Sequence, residues 1–217
     1  MMAERGDRLV VHEPFSHVAD FGIAEVDGRV VRSERALIDA LRELASRRPV
    51  FFKDTTDFHY PGLLRDTRFL REATHTFMIR DPEAAIASHY RLNPELGRDE
   101  IGFAWLYEIY AAVRDATGGD PVVIDGDDLV AAPEAIVEAY CARVGIPYVR
   151  EALQWKPKVL PSWECTARWH TSVSESSGFE PPRADGAVDV ESHPRLREYL
   201  RYHRPYYERL YARRLRV

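Results

Sequence analysis

Residues 77 to 90 read FMIRDPEAAIASHY, and the fold turns on how this run is parsed. Its start belongs to THTFMI, residues 74 to 79, a short apolar stretch with the length and character of a strand buried in a parallel sheet. Asp81-Pro82 then opens a helix through Tyr90, since proline is accommodated in a first helical turn. Arg80 therefore stands at the carboxyl end of a buried strand, and Ser88 follows eight residues later on the helix. If strand and helix lean together, the guanidinium and the hydroxyl converge on one phosphate, the arginine offering a fork of donors and the serine one more. The alternative is an Arg80–Asp81 pair that only fixes the turn, with Ser88 a solvated helix residue. The pattern alone leaves both open.

Working outward, the same alternation recurs. MMAERGD reads as the tail of a helix ending at Gly6, and Arg8 to His12 as a short strand. SERALIDALRELASR, residues 33 to 47, is an amphipathic helix capped by Ser33, with Leu37, Ile38, Leu41 and Leu44 on one face. VFF after Pro49 is a buried strand ending at Lys53. A helix from about Asp99 to Ala116, stopped by Thr117-Gly118-Gly119, leads to the strand PVVI, residues 121 to 124; Pro133 starts another helix, stopped by Gly145. Residues 154 to 192, including Pro181, Pro182 and the Ser-rich run 172 to 178, read as irregular, and the segment from His193 onward as an Arg/Tyr-rich helix that Pro205 kinks. Strands alternating with helices predict an α/β fold, a parallel sheet with helices on both faces and a ligand at the carboxyl ends of its strands.

Composition narrows the function classes. The 217 residues suit one domain, with residues 1 to 150 as its core and 151 to 217 as an irregular loop and C-terminal helix. A formal net charge of -5 argues against nucleic acid as a partner. No apolar run is long enough to span a bilayer and no signal-peptide pattern opens the chain, so no membrane insertion and a cytoplasmic location are expected. Cys141 and Cys165 fit no metal spacing, and no metal is expected. Lys53 is conspicuous, the other lysines being Lys156 and Lys158.

The run IRDPEAAIAS resembles the 3′-phosphate-binding segment of sulfotransferases, with Arg80, Pro82 and Ser88 matching position by position. PVVIDGDDLVAAPEAIVEAYCARVGIPY, residues 121 to 148, resembles the strand, acidic turn and proline-started helix that follow the nucleotide site in that family, and HEPFSHV, residues 12 to 18, the Glu-Pro-x-x-His stretch of carbohydrate and bacterial members. The resemblance implies a P-loop-like fold. It also implies 3′-phosphoadenosine 5′-phosphosulfate as co-substrate, and a small-molecule or carbohydrate acceptor sulfated on a hydroxyl or amine. Arg80 and Ser88 are then binding residues, and Glu13, ahead of Pro14 at a strand end, the general base. His17 is an alternative base or an acceptor-positioning residue; His12 and His59 are weaker candidates.

Lys53, just past VFF, is the natural charge stabiliser and donor-binding residue. Many family members carry Lys-x-His there; this chain reads Lys53-Asp54-Thr55, which shifts the base assignment toward Glu13. Arg168, His170 and the Ser-rich run are candidates for closing over the nucleotide, and Trp155, Trp163 and Trp169 for stacking on adenine or lining an acceptor pocket. The family's first strand and Gly/Ser-rich phosphate loop are not among these residues. Two explanations stand: Met1 is an internal methionine and the protein extends upstream, the favoured one, or the chain is naturally short and a poor enzyme alone. A protein that kept the 3′-phosphate pocket without the chemistry, and a kinase-like phosphoryl transferase, are the competing readings. A homodimer stays open.

Overall fold

The computed structural model describes residues 1–181 and 188–217, so the expectation for Pro182 falls outside the described residues. Within them, β1 (Leu9–His12) is followed by α1 (Pro14–Phe21), β2 (Ala24–Val26), β3 (Arg29–Val31), α2 (Glu34–Ala45) and β4 (Val50–Lys53). Then come α3 (Pro61–Arg65), α4 (Thr67–Glu72), β5 (Thr76–Ile79), α5 (Pro82–Leu92), α6 (Phe103–Thr117) and β6 (Val122–Asp125). Helices α7 (Gly126–Ala131), α8 (Pro133–Val144), α9 (Thr171–Glu175) and α10 (Pro194–Tyr211) complete the order.

The parallel pairing follows from the crossovers. β1 lies beside β4, with Leu9 opposite Val50 and His12 opposite Lys53. β5 lies beside β6, with Thr76 opposite Val122 and Ile79 opposite Asp125. These are two short parallel sheets flanked by helices, as an α/β fold requires, and no ladder joins β4 to β5 among the described residues. One apolar core nonetheless serves both, since Val11, Phe77, Ile79 and Val123 share a cluster with the α2 side chains Leu37, Ile38, Leu41 and Leu44. Ser33 caps α2 by accepting from the Ala36 amide, and all four apolar positions of its stripe are buried.

Several elements depart from the sequence reading. The Asp27-Gly28 turn joins β2 and β3 into an antiparallel hairpin, with φ of 52° and 78° at its two residues, the left-handed pair that a two-residue turn demands. The expected helix from Asp99 breaks at Gly102, which has φ of 81° and where a Cβ would come within 2.6 Å of the Thr56 carbonyl oxygen. Residues 154 to 192 are more ordered than expected: a 3₁₀ stretch covers Pro161–Trp169 and α9 takes up part of the Ser-rich run, its first turn closed by the Ser174 amide on the His170 carbonyl. Helix α10 continues across Pro205. Among the described residues no helix is long and apolar enough to cross a membrane.

Candidate functional site

Glu13 directly follows β1, and its amide donates to the Lys53 carbonyl at 2.7 Å, extending the parallel ladder by one residue. There the chain turns sharply into α1, with Glu13 as N-cap in left-handed conformation, φ 45° and ψ 45°. An N-cap carboxylate would ordinarily bond the helix's first amides. Here Asp54, the residue just past β4, does so, accepting from the Phe15 amide at 2.7 Å and from the Ser16 amide and hydroxyl at 2.9 and 2.7 Å. The Ser16 hydroxyl also meets Thr55 and Tyr60. Relieved of capping, the Glu13 carboxylate pairs with the Lys53 ammonium through Oε1.

The electrostatics of this corner are set by burial and by that one cation. Glu13 is 6% exposed, whereas the Lys53 side chain is about half exposed, at 48%. Burial pushes the Glu13 carboxyl up, but the charge and hydrogen bond of Lys53 outweigh it and hold the group below its ordinary value. Burial pushes Asp54 and Asp57 up to about 6, outweighing the Ser16 and backbone hydrogen bonds that lower Asp54 and the Lys53 charge that lowers Asp57. Burial lowers His12 to about 4 and also lowers His170, so both imidazoles are neutral at neutral pH.

His12 packs against residues from the far end of the chain. Its Nε2 lies 3.2 Å from Nε2 of His170 and 3.5 Å from Oε2 of Glu13. Trp163 stacks on the His170 ring at 4.8 Å between centroids. His17 lies one helical turn past Glu13, its ring 6.2 Å from that of His12 and its Nε2 buried without a hydrogen-bond partner among the described residues. With Phe21, Ile23, Val30 and Cys165 it borders a concavity of about 260 Å³.

The second cluster sits at the end of β5. Asp81 spends its carboxylate on the α5 N-terminus, accepting from the Glu83 and Ala84 amides at 2.9 and 3.2 Å. The Arg80–Asp81 turn-fixing pair considered from the sequence is therefore not formed. Arg80 is half-buried and has no side-chain hydrogen bond or ion pair among the described residues, and the half-buried Ser88 hydroxyl has none either. Next to Ser88, His89 meets Trp169 edge-on at 4.8 Å, and the Arg168 guanidinium lies 4.8 Å from the Trp169 ring centre. The stretch Pro161–Trp169 and the His170 after it thus touch both the end of β1 and helix α5.

The sequence candidates divide accordingly. Glu13 and Lys53 are in direct contact, with His17 beside them; Arg80 and Ser88 share the β5–α5 unit without bonding to each other. His59 pairs instead with Glu108 at 3.0 Å, and Trp155 bonds Ser176 and packs on Phe179. Sequence reasoning missed the Asp54 cap, although a helix starting at Pro14 needs an acceptor for its first amides. It named His170 only as a nucleotide-loop residue, with nothing to pair it with His12.

Comparison with known proteins completes the description. A family model described as "Sulfotransferase domain" matches residues 2–214. Two curated Arabidopsis thaliana proteins are similar: branched-chain-amino-acid aminotransferase-like protein 1, 28% identical over 192 residues or 83% of the chain, and protein 2, 28% identical over 118 residues or 54% of the chain. These alignments cover 34% and 21% of the relatives' own lengths, so the chain spans about a third of the first. No solved structure matches.

Proposed function

The chain belongs to the sulfotransferase domain family, and from that premise we propose that it moves a sulfuryl group from 3′-phosphoadenosine 5′-phosphosulfate to a hydroxyl or amine of a small molecule or carbohydrate. The observation that carries this reading is the Glu13–Lys53 pair at the adjoining carboxyl ends of two parallel strands, a base and a cation in contact where an α/β sheet receives its ligand. The donor, when bound, supplies the sulfuryl group and leaves as 3′,5′-adenosine bisphosphate. Glu13, ionised, takes the acceptor proton as the acceptor oxygen or nitrogen bonds sulfur and the bond from sulfur to the phosphate oxygen breaks. Lys53 turns its exposed ammonium toward the charge that develops on the leaving oxygen. Arg80, unengaged by any acid of the described residues, and Ser88 hold the 3′-phosphate. That a half-buried arginine lacks a partner at a strand end fits an anion there. An exposed thiol at Cys165 favours a reducing compartment, in keeping with the cytoplasm.

Calorimetric titration with 3′,5′-adenosine bisphosphate, then with ATP, tests the reading. The bisphosphate should bind, and Arg80→Ala should weaken it by about 1.5 to 3 kcal/mol, the worth of a hydrogen bond to a charged group. Binding of ATP but not of the bisphosphate would overturn the assignment. Glu13→Gln should spare that binding and abolish turnover; undiminished turnover removes Glu13 as base.

A further inference from the structure

We propose that His12, His170 and Glu13 form a binding site for a transition-metal ion of the zinc type. Their ligand atoms converge: Nε2 of His12 is 3.2 Å from Nε2 of His170 and 3.5 Å from Oε2 of Glu13, and all three lie within 4.8 Å of one another. Around an ion with bonds of about 2.0 to 2.1 Å, the edges of a tetrahedron are about 3.3 to 3.4 Å long. Two of the three edges are close to that length. The Thr166 hydroxyl lies 3.2 Å from Nε2 of His170. Two imidazoles and a carboxylate with one open position is a ligand set that zinc accepts.

Simple two-centre hydrogen bonding does not satisfy every contact in the cluster. A ring nitrogen holds either one proton or one lone pair, yet Nε2 of His12 faces both His170 and Glu13, and Nε2 of His170 faces both His12 and Thr166. An ion at the centre serves all of them together. Two neighbours prepare the site. Lys53 occupies Oε1 of Glu13 and leaves Oε2 to the ion, while the stacked Trp163 ring fixes the plane of His170. His12 and His170 are 158 residues apart, which is why no ligand spacing marks the site in the sequence.

The test uses the whole chain, stripped with a chelator and titrated with zinc chloride by calorimetry and with cobalt chloride by visible absorption. One ion per chain is expected, with the intense visible bands of tetrahedral cobalt. His12→Ala and His170→Gln should each weaken zinc binding more than about tenfold, the lower end of what losing even an outer-shell partner costs, and His170→Gln should do so with the melting temperature unchanged. Cys165→Ser should bind as the wild type does. Absence of saturable binding overturns the proposal, and so does zinc that leaves with Cys165 or persists undiminished in both histidine variants. Ion binding is read directly, so its outcome does not depend on whether the chain transfers sulfuryl groups; an ion on Oε2 would compete with the role of Glu13 as base, and the two are separate states of this corner.

Discussion

Replacing Asp54 by asparagine probes the cap that frees Glu13, and pH makes the effect quantitative. Burial raises the Asp54 carboxyl from 3.8 to about 6 in the folded protein. The native state thus holds this proton more tightly than the unfolded chain. Its contribution to stability is fully present below the unfolded value and is lost as pH rises through the folded one. Integrating that linkage between about pH 7.5 and about pH 5 gives the wild type a gain on the order of 1 kcal/mol that an amide cannot share. Asp54→Asn also loses ground at neutral pH, because two backbone amides bond the two carboxylate oxygens separately and an amide offers one acceptor; about 1 to 3 kcal/mol is the usual cost. Urea unfolding followed by circular dichroism, at both pH values and with the slopes compared, reads both quantities. The stability difference between wild type and variant should widen by roughly 1 kcal/mol on acidification. A difference that does not grow on acidification would refute the argument, since Asp54 would then not titrate in that window.

Lys53→Met removes the cation that holds the Glu13 carboxyl down, so that carboxyl should rise and the acid limb of the turnover profile should move to higher pH; an unmoved limb separates Lys53 from the base. Leu37→Ala empties a site that is 0% exposed in the core under both strand pairs. It should cost about 2 to 5 kcal/mol in urea unfolding, and a loss below about 1 would contradict the packing described.

How much was legible in the sequence depends on the kind of signal each residue leaves. Apolar stripes and punctuation were readable: Ser33 with its four leucine and isoleucine positions gave α2, and Pro82 and Pro133 gave two helix starts, because those rules are local. Local rules also announced the β2–β3 hairpin, for Asp27-Gly28 between valine-bearing strands is a strong turn signal that a reading centred on parallel strands passed over. What no local rule carries is contact between distant segments. Asp54 caps a helix that begins 40 residues earlier, and Trp163 and His170 reach His12 from the other end of the chain. The cap depends on β1 and β4 lying side by side in register. Glu13 and Lys53 were found separately, by residue type and strand end; their contact is a product of that register.

The left-handed backbone at Glu13 has a consequence for how this position can vary. A side chain at positive φ carries a penalty of about 1 to 2 kcal/mol that glycine escapes, and the proline that follows narrows the choice further. A chain selected for stability alone would therefore drift toward glycine here, and toward a neutral side chain to avoid a buried charge. With Glu13 as the base proposed above, keeping a glutamate sets durability against turnover at a single residue. Variants recovered for heat resistance and variants recovered for activity should part company at position 13.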